Sequence, residues 1–374
     1  MKNSAKKLLS MLLVLCMLAA LTVSAFAAGP ERVGNYLMLG DSVAIYCGAS
    51  ETEDTSVYTH PEQTFRKTYS ERLKNDQNLG ITSICSCAHS GWRVQEALRA
   101  LGGNDYTVDY IMKYGGETDK RMNDYSPAYV RALEGADLIT INLGSNNIMQ
   151  AFVYGLYTAF EQQGIAFSGS KLDEAAIRYL QKLGKDVNDV DALVNLLALL
   201  ETTERGIVLL KNALKMMPNA ICEFQKSWEE LMALIHDKNS DVNVIVMGLY
   251  NPVGELVKHT ITGSLSVDGL GKTFLDTAVW MIKEATDPMV DAMNLYLRSG
   301  SNRFATKYVF LDNSKVDLAG SADGVHMGET GHEYVYNRMK DIIVTKFLPE
   351  SVPATKTTPA GLLGKLFSGL KNLF

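Results

Sequence analysis

The chain has 374 residues, of which 47% are hydrophobic and 21% are charged, and its formal net charge at pH 7 is −6. This composition is ordinary for a soluble globular protein, and the length suits one large domain or two of ordinary size. A net negative charge with no basic stripe to offset it argues against a nucleic-acid partner.

The N-terminal stretch has the pattern of a secretory signal peptide. Three lysines precede an apolar run from residue 8 to residue 23, and Ala25 and Ala27 supply small residues at the spacing of a cleavage site. The apolar run is short for a membrane anchor. We therefore predict that residues 1–27 are removed after Ala27 and that the protein is secreted, with or without attachment to the cell surface.

The mature chain would keep four cysteines, which are Cys47, Cys85, Cys87 and Cys222. Four cysteines permit three disulfide connectivities in an exported protein, and a bridge between Cys47 and Cys87 would brace the region after the first strand. In the stretch from Cys85 to His89, potential metal ligands occupy every second position, as they would on one face of a strand. No second ligand cluster of the kind that structural zinc uses follows it, so we predict neither a metal nor a cofactor.

Five apolar runs predict the strands of a parallel sheet. They span residues 34–40, 81–87, 136–144, 242–250 and 308–311. Helical patterns alternate with these runs, for example over residues 63–74 and 93–101, and this alternation is typical of an α/β fold with helices on both faces of the sheet.

The longest helical pattern lies between the third and fourth predicted strands. Residues 148–238 are predicted to be a helical insertion, and a second helical stretch covers residues 272–297. Two interpretations of the insertion remain open. It either shapes a substrate site or only buries apolar surface beside the sheet.

The C-terminal segment differs from the domain predicted over residues 28–350. Residues 351–359 are a polar linker bounded by proline, and residues 360–374 form a basic amphipathic helical pattern with no acid after Glu350. Such a helix either makes peripheral contact with a membrane surface or docks on the protein itself. The sequence leaves both interpretations of residues 351–374, membrane contact and docking on the protein, open.

Four short motifs each follow a predicted strand. They are Gly40-Asp41-Ser42, Ser90-Gly91-Trp92, Gly144-Ser145-Asn146-Asn147 and Asp323-Gly324-Val325-His326. The carboxyl ends of parallel strands meet at one edge of a sheet, so these motifs are expected to lie close together. Their side chains include a serine, a histidine, a carboxylate and an amide, which are the groups that nucleophilic catalysis uses.

These residue types match the parts of a serine hydrolase. A serine hydroxyl such as that of Ser42 becomes a nucleophile when a base, usually histidine, removes its proton. His326 is the candidate base, and Asp323 is three residues away and so able to orient the ring. Gly91 and Asn146 are candidate donors to the oxyanion of the tetrahedral intermediate.

In these four motifs, and in their order along the chain, the sequence resembles the SGNH/GDSL hydrolase family. The resemblance covers most of residues 34–345 apart from the helical insertion. It implies a flavodoxin-like three-layer α/β/α fold whose five-stranded parallel sheet carries the insertion between strands 3 and 4. Two positions depart from the family pattern. Asn147 replaces the usual Asp, and Met327 replaces the proline that commonly follows the histidine.

The resemblance also implies a role for each residue of the site. Ser42 would be the nucleophile and would donate one backbone N–H to the oxyanion hole. Gly91 would donate a second N–H, and Asn146 would donate its side-chain amide. His326 would be the general base and Asp323 the carboxylate that orients it. His332, six residues beyond the base, is interpreted as a hydrogen-bonding residue at a helix start.

Two classes of function follow from this pattern. The first is a secreted serine esterase or lipase that cleaves carboxylic esters through an acyl-enzyme, acting on lipid or small acyl esters or on acetylated carbohydrates. The second is a non-catalytic surface-binding protein on a hydrolase scaffold. The retention of Ser42, Asp323 and His326 in one chain favours the enzyme.

Overall fold

A computed structural model describes residues 33–46, 65–103, 116–151, 204–251, 270–314, 316, 318, 321 and 325–348. The chain divides into two units, residues 33–340 and the terminal segments 1–32 and 341–374. In the terminal unit only residues 341–348 are described. They contain the end of the last helix and a π-helical turn, Ile343–Phe347. The predicted signal peptide and the predicted C-terminal helix lie outside the described residues.

Five strands form one sheet in which every pair is parallel. The strands are β1 (Gly34–Gly40), β2 (Ile81–Ala88), β3 (Leu138–Asn142), β4 (Asn243–Met247) and β5 (Val309–Leu311). Their order across the sheet is β2-β1-β3-β4-β5. This is the flavodoxin-like order, and it confirms the predicted α/β fold class. The direction of winding reverses between β1 and β3, and open α/β sheets bind ligands outside the carboxyl ends of the strands at such a point.

The continuous apolar runs in the sequence arise because the strands are buried on both faces. All five residues of β3 are buried, as are the last five of β1. Covered parallel strands lack the polar alternation of a half-exposed strand. The run predicted over residues 136–144 is longer than β3 because Leu143 and Gly144 have already left the ladder and lead into the next helix.

The helices of the described part of the chain alternate with the strands. They are α1 (Ser42–Ile45), α2 (Tyr69–Asn75), α3 (Val94–Ala100), α4 (Gly116–Glu134), α5 (145–151), α6 (Glu204–Lys238), α7 (Leu270–Gly300) and α8 (Glu329–Ile342). No helix in these described segments is long and apolar enough to cross a membrane.

Helix α2 begins later than the periodicity over residues 63–74 predicts. Lys67 has a φ of 65°, which is outside the helical region, so a helix cannot pass through it. The next residue, Thr68, caps the helix because its side chain accepts a hydrogen bond from the backbone N–H of Glu71. The carboxylate of Glu71 accepts in turn from the backbone N–H of Lys67 at 2.6 Å.

One face of the sheet carries an extensive apolar cluster of buried residues. Leu37 and Leu39 of β1 and Ile139 and Ile141 of β3 contribute to it from the sheet. From the helices come Tyr129 and Leu133 of α4, Phe224, Trp228, Leu231, Met232 and Ile235 of α6, and Met293 and Leu297 of α7. The last part of the predicted insertion therefore packs in this core, while residues 152–203 lie outside the described residues.

The cysteines do not support the bridge considered from the sequence. Cys87 is fully buried in the core and has a free thiol, so of the connectivities left open by the sequence the structure does not contain the bridge from Cys47 to Cys87. Burial raises the pKa of the Cys87 thiol well above its usual value and so favours the neutral thiol. Cys222 is also free and is exposed, and Cys47 lies outside the described residues.

Candidate active site

Ser42 begins α1 immediately after β1, at the carboxyl edge of the sheet. The turn that delivers it needs a glycine at Gly40, because a Cβ there would lie 2.5 Å from the Cβ of Ala44. Asp41 is the N-cap, and its Oδ1 accepts from the backbone N–H of Val43 at 2.9 Å. Ser42 is therefore held on a tight strand-to-helix turn, with 9% of its surface exposed.

A second turn follows β2 and contains Gly91. The φ of Gly91 is 79°, a left-handed conformation that favours glycine over any residue with a Cβ. The backbone N–H of Trp92 donates to the carbonyl of His89 at 3.1 Å and closes this turn. The backbone N–H of His89 donates to the carbonyl of Gly40 at 3.3 Å, which ties the turn to the end of β1.

The side chain of Asn146, on α5, joins the ends of these two strands. Its Nδ2 donates to Oδ2 of Asp41 at 3.2 Å and to the carbonyl of Trp92 at 3.0 Å. Asp41 precedes Ser42 and Trp92 follows Gly91. One amide thus connects the residue beside the candidate nucleophile to the residue beside the candidate backbone donor.

Asp41 is the buried carboxylate of this region, with none of its surface exposed. Burial raises its pKa to about 7, since a charged carboxylate loses its hydration there. The hydrogen bond from Val43, the nearby His326 and the amide of Asn146 all oppose this effect. His326 therefore lies in the neighbourhood of Asp41.

His326 also contacts the end of α1. The imidazole and the ring of Tyr46 meet edge to face with their centroids 5.4 Å apart. The backbone N–H of Tyr46 donates to the carbonyl of Ser42 at 2.9 Å, so Tyr46 lies one helical turn from the serine. The preceding residue, Val325, accepts at its carbonyl from the hydroxyl of Tyr250 at 2.6 Å, which anchors this segment near the end of β4.

His332 is fully buried on α8 and serves as a hydrogen-bonding residue, as its position near a helix start indicates. Its Nδ1 accepts from the backbone N–H of Tyr69 at 3.3 Å, and its Nε2 lies 2.7 Å from the carbonyl of Tyr46. A neutral ring with the proton on Nε2 satisfies both contacts. Burial lowers the pKa of His332 to about 4, which keeps the ring neutral around pH 7.

The structure describes four of the five residues that the sequence singles out. Ser42, Gly91 and Asn146 follow the ends of β1, β2 and β3, and the contacts above connect them through Asp41, Trp92 and Tyr46 to His326. Asp323 lies outside the described residues, and the catalytic roles remain predictions. Within the described segments no group of three or more His, Cys, Asp or Glu side chains is placed to hold a metal ion.

Sequence reasoning missed the polar side chains of α5 that face the turn at Gly91. Asn147 accepts from the backbone N–H of Val94 at 3.3 Å and donates to Oε1 of Gln95 at 2.9 Å. Gln150 donates from Nε2 to the carbonyl of Gly91 at 2.6 Å. The spacing offered a signal for Gln150, because residues i and i+4 share a helix face and Asn146 is four positions earlier.

The chain is similar to several solved structures of hydrolases. A lipase from a goat rumen metagenome is 16% identical with a TM-score of 0.40, and the match covers 82% of this chain and 96% of that chain. A phospholipase A1 from Streptomyces albidoflavus is 13% identical with a TM-score of 0.36, covering 83% and 99%. A family two carbohydrate esterase from Clostridium thermocellum is 15% identical with a TM-score of 0.35, covering 86% and 66%.

Identities and TM-scores this low carry no conclusion about the activity or the substrate of this chain. No protein-family model matches the sequence, and no curated protein matches it. The family resemblance therefore stands on the four sequence motifs and on the parallel sheet. In both of these features the chain resembles the SGNH/GDSL hydrolases.

Proposed function

We propose that the chain is a secreted serine hydrolase that cleaves carboxylic esters through an acyl-enzyme on Ser42. The observation that carries the proposal is the double contact of the Asn146 amide, to Asp41 at 3.2 Å and to Trp92 at 3.0 Å. Through it the candidate nucleophile and two candidate oxyanion donors lie at one edge of the sheet. A serine hydrolase requires such a grouping.

The proposed reaction has two halves. His326 removes the hydroxyl proton as Ser42 Oγ attacks the ester carbonyl, and the tetrahedral intermediate then collapses as the alcohol leaves with that proton. In the second half His326 activates water, which attacks the acyl group and releases the acid. Asp323 orients the imidazole and stabilises the imidazolium that forms in each half.

The backbone N–H groups of Ser42 and Gly91 and the amide of Asn146 stabilise the oxyanion. An amide Nδ2 carries two hydrogens, and in the structure Asn146 directs them at two protein acceptors, Asp41 and Trp92. To serve the oxyanion, Asn146 must share one hydrogen in a three-centre bond or release one of these acceptors. Productive binding of the ester therefore includes a small rearrangement of this amide.

The direct test is the loss of activity in Ser42→Ala. The purified wild type should hydrolyse short-chain p-nitrophenyl esters, and the variant should be slower by roughly 10⁴-fold or more. A fluorophosphonate, which loses fluoride as its phosphorus bonds to a nucleophilic oxygen, should label Ser42 and no other serine. Retained hydrolysis in Ser42→Ala, or labelling elsewhere, would remove Ser42 from the mechanism.

Ser227→Ala is a matched control for that variant. Ser227 is a buried serine on α6, with 1% of its surface exposed, and its hydroxyl makes no hydrogen bond. It lies in the helical layer rather than at the strand ends. The control should retain activity within about two-fold and should label like the wild type, so a similar loss in both variants would point to a general folding defect.

Within this reaction class we propose lipid or small acyl esters as substrates, with acetylated carbohydrates as the alternative. The basic amphipathic pattern of residues 360–374 favours lipid substrates because such helices bind anionic membrane surfaces. A panel of triglyceride, phospholipid and acetylated xylan separates the two. Hydrolysis of acetylated xylan but of neither lipid would overturn the lipid assignment and leave the Ser42 mechanism in place.

A truncation at residue 350 tests the membrane contact. It should turn over soluble esters normally and should bind anionic vesicles less tightly than the full chain. Unchanged vesicle binding would favour docking of residues 351–374 on the protein itself. Export is tested by sequencing the N-terminus of the protein in the culture medium, which should begin at Ala28 if the signal peptide is cleaved as proposed.

A further inference from the structure

The turn that contains Gly91 is held by one face of α5. Asn146 donates to the carbonyl of Trp92 at 3.0 Å, and Gln150, one helical turn later, donates to the carbonyl of Gly91 at 2.6 Å. Between them, Asn147 accepts from the backbone N–H of Val94 at 3.3 Å. Three side chains of one helix therefore bind the backbone of the turn and of the first residue of the helix that follows it.

We propose that Gln150 is a positioning residue that fixes the oxyanion donor Gly91 relative to the oxyanion donor Asn146. This inference rests on the proposed function, since it assigns Gln150 to the same reaction. Gln150 does not bind substrate. It acts through the Gly91 backbone and sets the spacing between two donors that come from different strand ends.

The local backbone explains why such a contact is needed. Gly91 has a φ of 79° and no side chain, so both of its backbone dihedrals are softer than those of any other residue type. The Gly91 carbonyl and the Trp92 N–H belong to one planar peptide unit, and the bond from the Trp92 N–H to His89 holds one side of that unit. The Gln150 amide holds the other side of the same peptide unit from a buried position, with 7% of the surface of Gln150 exposed.

The geometry of α5 makes the coupling direct. Residues four apart in a helix are neighbours on one face, so Asn146 and Gln150 are separated by a fixed distance of about one turn. One of them is itself an oxyanion donor and the other holds the second donor. Oxyanion donors act most strongly when they are preorganised near the position of the developing charge, and a displacement of about 1 Å costs roughly 100-fold in rate.

The test removes the Gln150 donor in two ways. Gln150→Met replaces the amide by an apolar side chain of similar length, and Gln150→Glu keeps the shape but replaces the donating nitrogen by an oxygen. Each variant should lower kcat for a p-nitrophenyl ester by roughly 10-fold, with KM within about two-fold of the wild type. The inhibition constant of an alkylboronic acid, whose tetrahedral adduct on Ser42 places an oxygen at the oxyanion position, should rise in proportion.

Asn239→Leu is the matched control. Asn239 is also a side-chain amide that anchors a turn, since its Nδ2 donates to the carbonyls of Leu133 at 3.0 Å and Ala136 at 2.8 Å. The carbonyls that accept these bonds come just before β3, so they lie at the amino ends of the strands, opposite the candidate site. The control should lower the melting temperature at least as much as the Gln150 variants do, yet keep kcat and boronic acid affinity within about two-fold of the wild type.

Three outcomes would overturn the assignment of Gln150. They are a kcat within two-fold of the wild type in both variants, a loss confined to KM, and failure of both variants to fold, which would make Gln150 a structural residue. Failure of the proposed function has a different signature. In that case the wild type itself does not turn over esters, or Ser42→Ala remains active.

Discussion

The buried imidazole of His332 makes the stability of the fold depend on pH in a predictable way. The ring is fully buried between α2 and the end of α1, where it accepts from Tyr69 and donates to Tyr46. Burial lowers its pKa from the ordinary value of 6.5 to about 4. Protonation would place an uncompensated charge in this position and would remove the acceptor that the backbone N–H of Tyr69 uses.

The sign follows from which state binds the proton. Between pH 6.5 and pH 4 the unfolded chain is protonated at His332 and the folded chain is not. The stabilisation is therefore fully present above pH 6.5 and is lost as the pH falls toward 4. The gap between the two pKa values corresponds to about 3 kcal/mol, at about 1.36 kcal/mol for each pH unit.

The perturbation that isolates this contribution is His332→Gln. Glutamine places an amide nitrogen near the position of Nε2 and can still donate to the carbonyl of Tyr46, but it does not titrate. Urea unfolding of both proteins at intervals from pH 7 to pH 4 reports the two stabilities through the fluorescence of Trp92 and Trp228, both buried. Other titrating groups, including Asp41, occur in both proteins, so their contributions cancel in the difference between the two unfolding free energies.

The expected result is a difference that changes with pH. The wild type should lose about 3 kcal/mol more than His332→Gln on going from pH 7 to pH 4. Two parallel curves, with a constant difference across this range, would refute the reasoning, because they would mean that His332 titrates alike in the folded and unfolded chains.

Two further variants probe the turn at the candidate nucleophile. Asp41→Asn should lower kcat for p-nitrophenyl esters by roughly 10- to 100-fold, since an amide cannot accept on both sides from the backbone N–H of Val43 and from Asn146, and the turn that holds Ser42 is then less well fixed. An unchanged rate would separate Asp41 from the site. Gly40→Ala should abolish activity, because its Cβ would lie 2.5 Å from that of Ala44. Gly135→Ala, whose nearest contact would be 3.5 Å away, should leave the rate unchanged, and equal losses in the two would contradict the clash.

The strands were predictable because their burial leaves a clear pattern. Both faces of a covered parallel sheet exclude polar side chains, so β1 and β3 appear as continuous apolar runs that end at glycine or asparagine. Helix boundaries were less predictable. The start of α2 depends on the positive φ of Lys67 and on the cap at Thr68, and apolar periodicity carries neither signal.

The order of the motifs along the chain indicates which residue types gather at the strand ends, but not the contacts that they make. Apolar patterning shows that Ser42, Gly91 and Asn146 each follow a strand. Cys87 is buried in the core as a free thiol because of the face of β2 on which it lies. Periodicity alone does not indicate which face of a strand packs against a given helix.

The sequence by itself determined the α/β class, the strand positions and the residues that follow each strand, because local patterning and turn chemistry encode them directly. Only the tertiary structure decided that the Asn146 amide bridges Asp41 and Trp92, that Gln150 holds Gly91, and that His332 joins Tyr46 to Tyr69. These bonds span up to 286 positions of the chain, between His332 and Tyr46. Their geometry depends on how helices pack on the sheet, a property of the whole fold that no local stretch of sequence contains.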